Sequence, residues 1–532
     1  MAASRGCGSA PLSHRNVLWH IRALITAACF LLYAGMALNL HQPESISYPN
    51  EEIGPLPAAV SQWTLGGHGG LIDSGVLDYF LQADKAHTPV GQAVEEAVKG
   101  SVQPSGKWVV AIDGQGVGGI IATDLGFALF GPHAVALPLL YLVLIGASTA
   151  CFVIRYRDQR MMAAPILLLS LSLLLFSPFL TGAAAPEAPI GGIRYYAIVG
   201  LLPALHWCFE FGELKAPCNN WQRWALLTVQ LSILGLAILV RGSPLYLILP
   251  VVGFYLFTVV KKRGAWRRNT MYLALPAVAL AACLVLLPRI AFPDYAANGR
   301  LHVELWHKIF IGFGSNEAWP FAGVRDAYPC PGFPEGIIGG VVDRNGQCVW
   351  SSARLQNPTW SSKPFSVGLY SGDYEDAMRD ATFRVISEHP WETFVTFFYS
   401  KPQHIGKAMI SLLPSFSSKV THFLLPLFLI EIALLVILIY YQTDNSPHLV
   451  AYRSMFVLMP FLLAAQLPLM LAWANAVTIL DLMALVLCGV VVCLIFCISS
   501  IISLARHGFR LWPSSTPVAG KGAIGRPLSD GD

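Results

Sequence analysis

Ten long apolar runs constrain the fold of this chain more than any other feature of its sequence. They lie at residues 18–40, 134–154, 162–181, 195–212, 224–241, 243–260, 271–291, 421–441, 454–473 and 477–504. The hydrocarbon core of a bilayer is about 30 Å thick, and roughly 20 helical residues are needed to cross it. Lipid offers no hydrogen-bonding partner, so backbone groups must be satisfied inside each run, which favours helices. The sequence therefore predicts an all-α polytopic membrane protein with about ten transmembrane helices.

Composition supports the membrane class and excludes several others. Charged residues make up 12% of the 532 positions and hydrophobic residues 55%, with a mean hydropathy of +0.56. Soluble domains carry about 25% charged residues, so this chain has too few to solvate a globule of its size. The same figures exclude a disordered chain, a coiled coil and a small disulfide scaffold. The net charge of +4 is small and its positive residues lie in short loops, so no nucleic-acid partner is expected.

Lysine and arginine in the short loops predict the orientation of the helices. They are concentrated in alternate loops, which marks the cytoplasmic side. The residues on that side are Arg5, Arg15, Arg155, Arg157, Arg160, Lys215, Arg223, Lys261, Lys262, Arg263, Arg267, Arg268, Arg453, Arg506 and Arg510. The opposite short loops carry only Arg194 and Arg241. Both termini are therefore expected in the cytoplasm, with the first run acting as an uncleaved signal anchor.

Two long polar segments are predicted to lie outside the cytoplasm. The chain divides into a cytoplasmic tail (1–17), a first transmembrane helix (18–40), a first polar segment (41–133), transmembrane helices 2–7 (134–291), a second polar segment (292–420), transmembrane helices 8–10 (421–504) and a cytoplasmic tail (505–532). The first polar segment ends in an apolar stretch, 107–133, that glycines interrupt. A crossing there would put Arg155 outside, so we expect this stretch to lie in the membrane interface or to re-enter.

Two of the eleven cysteines are predicted to form a disulfide. Most cysteines lie in apolar runs, where they behave as small hydrophobic residues. Cys330 and Cys348 lie instead in the glycine- and proline-rich second polar segment, in a compartment that permits disulfides. Two free thiols are the alternative.

An acidic pair in the first polar segment is the candidate for chemistry. Glu51 and Glu52 follow the first run by about ten residues. A carboxylate at the membrane surface can act as a general base toward a hydroxyl or hold a metal. The alternative is a solvated loop, or a pair that favours the start of a helix from Ile53 to Trp63.

Ionisable residues inside the apolar runs form a second group of candidates. They are His206, Glu210, Glu431 and Asp481. His206 and Glu210 share a helix face and could form a proton relay or a metal pair, or could simply satisfy each other. Arg241 lies between two runs and could bind a lipid phosphate or extend to the interface.

The second polar segment contains two stretches rich in aromatic residues, at 302–321 and 368–402. Tryptophan and tyrosine there could stack on sugar rings, or anchor the segment at the head groups. The pattern predicts a helix from about Tyr374 to Ile386. His307, Asp326 and His389 are candidates for hydrogen bonding to a polar substrate.

Several of these pieces, taken in order, resemble the polyprenyl-phosphate-dependent membrane glycosyltransferases of the GT-C class. The resemblance is carried by the segments YPNEEIGPLPAAVSQWTLGG, GVGGIIATDLGFALFG, FVIRYRDQR and ILVRGSPLYLILP. The fourth segment is similar to a turn of the lipid A aminoarabinose transferase type. The stretch LWHKIFIGFG, with a later EHP, resembles a group of bacterial membrane proteins found among cell-envelope polysaccharide functions. The first position of the acidic pair is usually aspartate in the family, whereas here Asn50 precedes two glutamates.

This resemblance implies a bacterial inner-membrane enzyme with an extracytoplasmic active site. A sugar would pass from a polyprenyl-phosphate donor to an envelope glycan or lipid acceptor. Glu51 and Glu52 would supply the base or help to bind a divalent metal, and Arg241 would contact the donor. No other cofactor is implied. The alternatives are a flippase or transporter of lipid-linked saccharide, a polysaccharide polymerase or ligase, and an inactive assembly subunit.

Overall fold

The computed structural model describes ten stretches of the chain. They are residues 55–66, 70–110, 117–156, 196–210, 220–261, 266–293, 305–313, 341–361, 372–403 and 407. The predicted membrane runs at 18–40, 162–181, 421–441, 454–473 and 477–504 lie outside these residues. The described part is mostly helical, as the sequence predicts for a helical membrane protein.

The described part of the first polar segment is a compact unit of helices and two short strands. Its elements are α1 (Pro55–Leu65), β1 (Leu71–Asp73), α2 (Ser74–Lys85), α3 (Val90–Val98), β2 (Trp108–Val110) and α4 (Val117–Phe130). The strands pair antiparallel, with Leu71 opposite Val110 and Asp73 opposite Trp108. These two strands are a local exception in a mostly helical structure, and three-residue strands are too short to show an alternating pattern in the sequence.

The helices of this unit are held together by one apolar core. Helix α1 begins at Pro55, a residue well suited to the first helical turn, close to the helix expected from Ile53. Phe80 of α2 and Val94 of α3 are fully buried in the same cluster as Val60 of α1. The cluster also includes Phe127 of α4, so α4 is fixed to the polar segment that precedes it.

Asp73 links the strands to α2 through a buried carboxylate. Its Oδ1 accepts the N–H groups of Gly75 at 2.8 Å and Ser105 at 2.9 Å, and its Oδ2 accepts Gly106 N–H at 2.8 Å. Burial on its own would raise the pKa of the Asp73 carboxyl, but these hydrogen bonds and that of the Ser105 hydroxyl outweigh it and lower the pKa.

Replacing Asp73 with asparagine is expected to destabilise the first polar segment by roughly 1.5–3 kcal/mol, because an amide nitrogen would then face backbone donors. The lowered pKa means that ionised Asp73 stabilises the fold above the unfolded-state pKa. This contribution is lost as the pH falls through the lower folded-state pKa, in the range below about pH 4. Thermal unfolding followed against pH measures both effects.

Exposed Asp78, on the helix α2 that Asp73 caps, is the matched control. Asp78→Asn should leave both the unfolding temperature and its pH dependence unchanged. Equal behaviour of the two variants would contradict the structural role assigned to Asp73.

The next helices form a bundle that contains three candidate membrane spans. The elements are α5 (Ala136–Arg155), α6 (Tyr196–Val199), α7 (Leu201–Phe209), α8 (Asn220–Val240), a 3₁₀ turn (Ser243–Leu247), α9 (Ile248–Lys261) and α10 (Trp266–Ala291). Helices α5, α8 and α10 are long and apolar enough to cross a membrane, and they match the predicted runs at 134–154, 224–241 and 271–291.

Other predicted runs differ from single straight helices. The run at 243–260 begins as the 3₁₀ turn and becomes α-helical only at Ile248. In the described part of the run at 195–212, α6 and α7 meet at Gly200, where a side chain would contact Pro244. Helix α4, within 107–133, is about 21 Å long at 1.5 Å per residue, shorter than the roughly 30 Å of a bilayer core.

The bundle has two distinct ends. The C-termini of α5 and α7 and the N-terminus of α8 meet where Arg155, Glu210 and Arg223 form ion pairs, and we call this the Glu210 end. The N-terminal part of α10 lies there too, since Tyr272 O accepts the indole N–H of Trp207 at 2.9 Å. Helices α8 and α10 therefore both run toward the opposite end, which we call the Arg241 end.

The described helices of the second polar segment pack into a separate group. They are α11 (Leu305–Gly312), α12 (Val341–Gln356), α13 (Pro358–Ser361), α14 (Gly372–Glu388) and α15 (Pro390–Val395), followed by a π-helical turn (Thr396–Ser400). Trp350, Tyr374 and Met378 form the buried centre of the group. Helix α14 contains the predicted helix from Tyr374 to Ile386 and extends it by two residues at each end.

Candidate functional site

The first polar segment packs against the C-terminal end of α10 at the Arg241 end of the bundle. Ala58 of α1 and Val117 and Ile120 of α4 share one apolar cluster with Phe292. Phe292 directly follows α10, at the start of the second polar segment. The contact therefore joins the first polar segment to the point where the second one begins.

Helix α4 is held against the C-terminal turn of α8 by close backbone packing at Gly118. A Cβ atom on Gly118 would lie 2.0 Å from Leu239 C and 2.1 Å from Val240 N. Only glycine permits this approach. It places the start of α4 beside the turn that leads into Arg241.

Arg241 is half-buried at the end of α8, and its N–H donates to Ala237 O at 2.9 Å. A cation at this position is favoured by the partial negative charge of the helix C-terminus. The following 3₁₀ turn is fixed by packing of Pro244 against Gly200. Glu51, Glu52 and Asp326 lie outside the described residues.

His307 lies inside the packed group of the second polar segment. It is 4% exposed, and its Nδ1 is 2.7 Å from the Tyr374 hydroxyl. A Cβ atom on Gly346 would lie 2.6 Å from the Tyr374 hydroxyl oxygen and 2.9 Å from His307 Nδ1. Helix α12 therefore packs closely against this pair. The structure gives His307 a hydrogen-bonding and packing role between α11 and α14.

Glu375 fixes the N-terminus of α11 from the neighbouring helix. Its carboxylate accepts the N–H of Trp306 at 2.8 Å and that of His307 at 3.3 Å. Burial raises the pKa of the Glu375 carboxyl, while these two donors act in the opposite direction. A carboxylate at a helix N-terminus also benefits from the helix dipole.

The remaining predicted residues of the second polar segment lie elsewhere in the same group. His389 is half-buried at the N-cap of α15, and its N–H donates to Val385 O at 2.9 Å. Cys348 of α12 is buried and disulfide-bonded. Its predicted partner, Cys330, lies outside the described residues, so this pairing stays a prediction. His307 and His389 belong to this packed group, whereas Arg241 belongs to the bundle.

The Glu210 end holds a buried ion cluster that the sequence analysis recognised only in part. Glu210 Oε1 accepts Arg155 Nε–H at 2.6 Å and the Tyr156 hydroxyl at 3.2 Å. Arg223 donates to the Glu210 carboxylate, and also to its backbone oxygen at 2.9 Å. His206 Nε2 lies 3.5 Å from Glu210 Oε1. The cluster joins three helices around one carboxylate.

Polar contacts continue from this cluster into the bundle. His206 Nδ1 is 3.2 Å from Gln230 Nε2, which also donates to Ser148 O at 2.7 Å. The Ser148 hydroxyl donates to Gln230 Oε1 at 2.6 Å. Because the Gln230 amide donates to His206 Nδ1, the remaining imidazole proton belongs on Nε2, which faces Glu210.

In the sequence, Arg155 and Arg223 serve only as markers of orientation. The structure shows that both arginines neutralise Glu210, one from the end of α5 and one from the start of α8. An acid within an apolar run usually has a partner, and this was the signal available in the sequence. Over the described stretches, no group of three or more His, Cys, Asp or Glu side chains could hold a metal ion.

The described structure defines a mostly helical protein with three apolar helices that could cross a membrane. Comparisons of the chain with family models, curated proteins and solved structures find no match.

Proposed function

We propose that the protein is an integral membrane glycosyltransferase of GT-C-like architecture with about ten spans. It transfers a sugar from a polyprenyl-phosphate donor to an envelope glycan or lipid acceptor on the extracytoplasmic face of a bacterial inner membrane. The observation that supports this most is the apolar cluster that Ala58, Val117 and Ile120 share with Phe292. It brings the first polar segment to the end of the bundle where α10 leads into the second segment and α8 into Arg241.

The proposed topology follows from charge at the two ends. The Glu210 end carries Arg155 and Arg223, and the positive-inside rule puts it in the cytoplasm. The opposite directions of α5 and α8 are those that alternate crossings require. The Arg241 end is then extracytoplasmic, and both termini are cytoplasmic.

Glu51 and Glu52 are the proposed source of the base. Glu52 precedes Pro55 by three residues, and a chain extends at most about 3.6 Å per residue, so the two Cα atoms lie within about 11 Å. Pro55 is buried in α1, which packs on α4. Chain connectivity thus ties the acidic pair to the part of the fold that reaches Arg241.

The chemistry needs few parts. The acceptor hydroxyl oxygen forms a bond to the anomeric carbon while the bond from that carbon to the phosphate oxygen breaks. A glutamate takes the hydroxyl proton, and polyprenyl phosphate leaves with the bonding electrons. Arg241 steadies the charge that develops on this leaving group. The donor bond itself supplies the free energy.

The Glu51→Gln, Glu52→Gln double variant tests the assignment. We expect transfer to fall about 100-fold or more, the usual contribution of a general base. The assay incubates purified protein in nanodiscs with radiolabelled undecaprenyl-phosphate hexoses and pentoses and with envelope extract, and measures the undecaprenyl phosphate released.

Glu95→Gln is the matched control, since Glu95 lies in the same polar segment with an exposed Lys99 partner. It should retain full turnover. Undiminished release by the folded double variant would remove both glutamates from the mechanism. A wild-type protein that releases no undecaprenyl phosphate from any of these donors would contradict the transferase proposal.

Transport of a lipid-linked saccharide is the second candidate. It is favoured by the buried polar chain from Ser148 through Gln230 and His206 to Glu210, because ionisable groups within spans often mark transport pathways. A transporter would move a fluorescent lipid-linked sugar across proteoliposomes without release of polyprenyl phosphate. A polymerase or ligase would instead transfer a whole lipid-linked glycan.

A further inference from the structure

The segment from Pro390 to Gln403 carries a stripe of exposed aromatic side chains. The exposed fractions are 69% for Trp391, 51% for Phe394 and 66% for both Phe398 and Tyr399. The Trp391 and Phe394 rings stack with centroids 5.7 Å apart, and Phe394 and Phe398 stack at 4.8 Å. We call these four residues the aromatic stripe.

The other side of the same segment is packed against the protein. Phe397 meets Phe313 of the α11 region edge-on, with centroids 5.1 Å apart. Thr396 and Lys401 are buried, and the Lys401 ammonium lies 4.1 Å from the centre of the Phe397 ring. The orientation of the segment is therefore fixed, with the aromatic stripe facing away from the helices it packs on.

We propose that the aromatic stripe docks the second polar segment onto the head-group region of the bilayer that the chain spans. The partner is lipid. The inference rests on the proposed membrane topology and does not depend on the transferase chemistry.

Chain connectivity keeps the aromatic stripe close to the bilayer that the chain is proposed to span. The second polar segment leaves the membrane after α10, at Phe292, and the next predicted span begins near residue 421. The aromatic stripe ends about twenty residues before that span. Because the second polar segment is joined to a predicted span before it and another after it, the effective concentration of the bilayer near the aromatic stripe is always high.

The side chains of the stripe have the chemistry of a membrane interface. Tryptophan and tyrosine are enriched at the level of the head groups, where an apolar ring and a polar edge are both satisfied. Between Pro390 and Gln403 the sequence has one lysine and no arginine. That lysine, Lys401, is buried. Docking should therefore depend on ring burial, and should be the same on zwitterionic and anionic lipid.

Site-specific photo-crosslinking tests this proposal. p-Benzoylphenylalanine replaces Phe394 in one variant, Phe398 in a second and Asp380 in a third. Asp380 lies on the exposed side of α14 and supplies the matched control. The full chain is reconstituted in nanodiscs of phosphatidylcholine, with or without phosphatidylglycerol, irradiated and examined by mass spectrometry.

We expect phosphatidylcholine adducts at positions 394 and 398, at equal yield in both lipid mixtures, and none at position 380. Three results would overturn the proposal. They are adducts to a second copy of the chain, adducts confined to other residues of the same chain, and equal lipid labelling at 380. No sugar donor is present, so the outcome is separate from that of the transferase assay.

Discussion

Glu210→Gln is expected to destabilise the protein by about 3–5 kcal/mol, the usual cost of removing one partner from a buried ion pair. Arg155 is 4% exposed and would lose the Glu210 carboxylate that neutralises its charge. Arg223 would lose the same partner. The expected readout is a large fall in the apparent unfolding temperature in detergent and in the yield of monodisperse protein.

Arg379→Gln is the matched control, because Arg379 also pairs with carboxylates, those of Asp376 and Asp380, but at an exposed site. Exposed pairs contribute less than about 1 kcal/mol, so this change should leave the unfolding temperature almost unaltered. If Glu210→Gln lowers the unfolding temperature as little as Arg379→Gln does, the ion cluster does not hold the three helices together.

A double variant separates pairing from other effects. Adding Arg155→Gln to Glu210→Gln also removes the buried charge whose Glu210 partner the single variant has taken away. The double variant should therefore be less destabilised than the sum of the two single changes. Additive losses would show that Arg155 and Glu210 contribute independently.

Features that repeat along the chain could be predicted from the sequence. Continuous apolarity predicts the helices α5, α8 and α10, which are the three candidate spans among the described residues. The polar run with apolar positions at helical spacing gave α14 within two residues at each end. These features depend on neighbours within a few turns, which is what local patterns record.

Features that join distant residues could not be predicted in this way. Arg155 and Glu210 are 55 positions apart, and Gln230 and Ser148 are 82 apart. No periodicity relates such positions, so the arginines could be recognised as cations at helix ends but not as partners of one carboxylate. The strand pairing of Asp73 with Trp108 was missed for the same reason.

The proposed site has one feature that the sequence predicts and one that it does not. The position of Arg241 follows from the boundary between two apolar runs, which the sequence displays directly. The approach of α4 to α8 depends on a single glycine whose role is visible only in three dimensions. Gly118 belongs to a stretch that the sequence shows only as an apolar run interrupted by glycines and as part of a segment that resembles a glycosyltransferase. Its packing role was not anticipated.

Gly118→Ala is expected to cost roughly 3 kcal/mol, at the upper end for overpacking. The added methyl group would meet the backbone of α8 at Leu239 and Val240, and backbone cannot rotate aside as a side chain can. Helix α4 would have to move away from the Arg241 end and carry the first polar segment with it. We expect both a lower unfolding temperature and a loss of transfer activity in the assay described above.

Gly253→Ala supplies the comparison that isolates this clash. Gly253 also lies within an apolar helix, α9, but a Cβ atom there meets nothing within 4 Å. Alanine favours a helix over glycine by up to about 1 kcal/mol, so this variant should be as stable as the parent or slightly more so. If the unfolding temperature falls for Gly118→Ala and is unchanged or rises for Gly253→Ala, close packing and not helix propensity requires glycine at position 118. If Gly118→Ala is as well tolerated as Gly253→Ala, α4 does not rest on α8, and the route by which the first polar segment reaches Arg241 is lost.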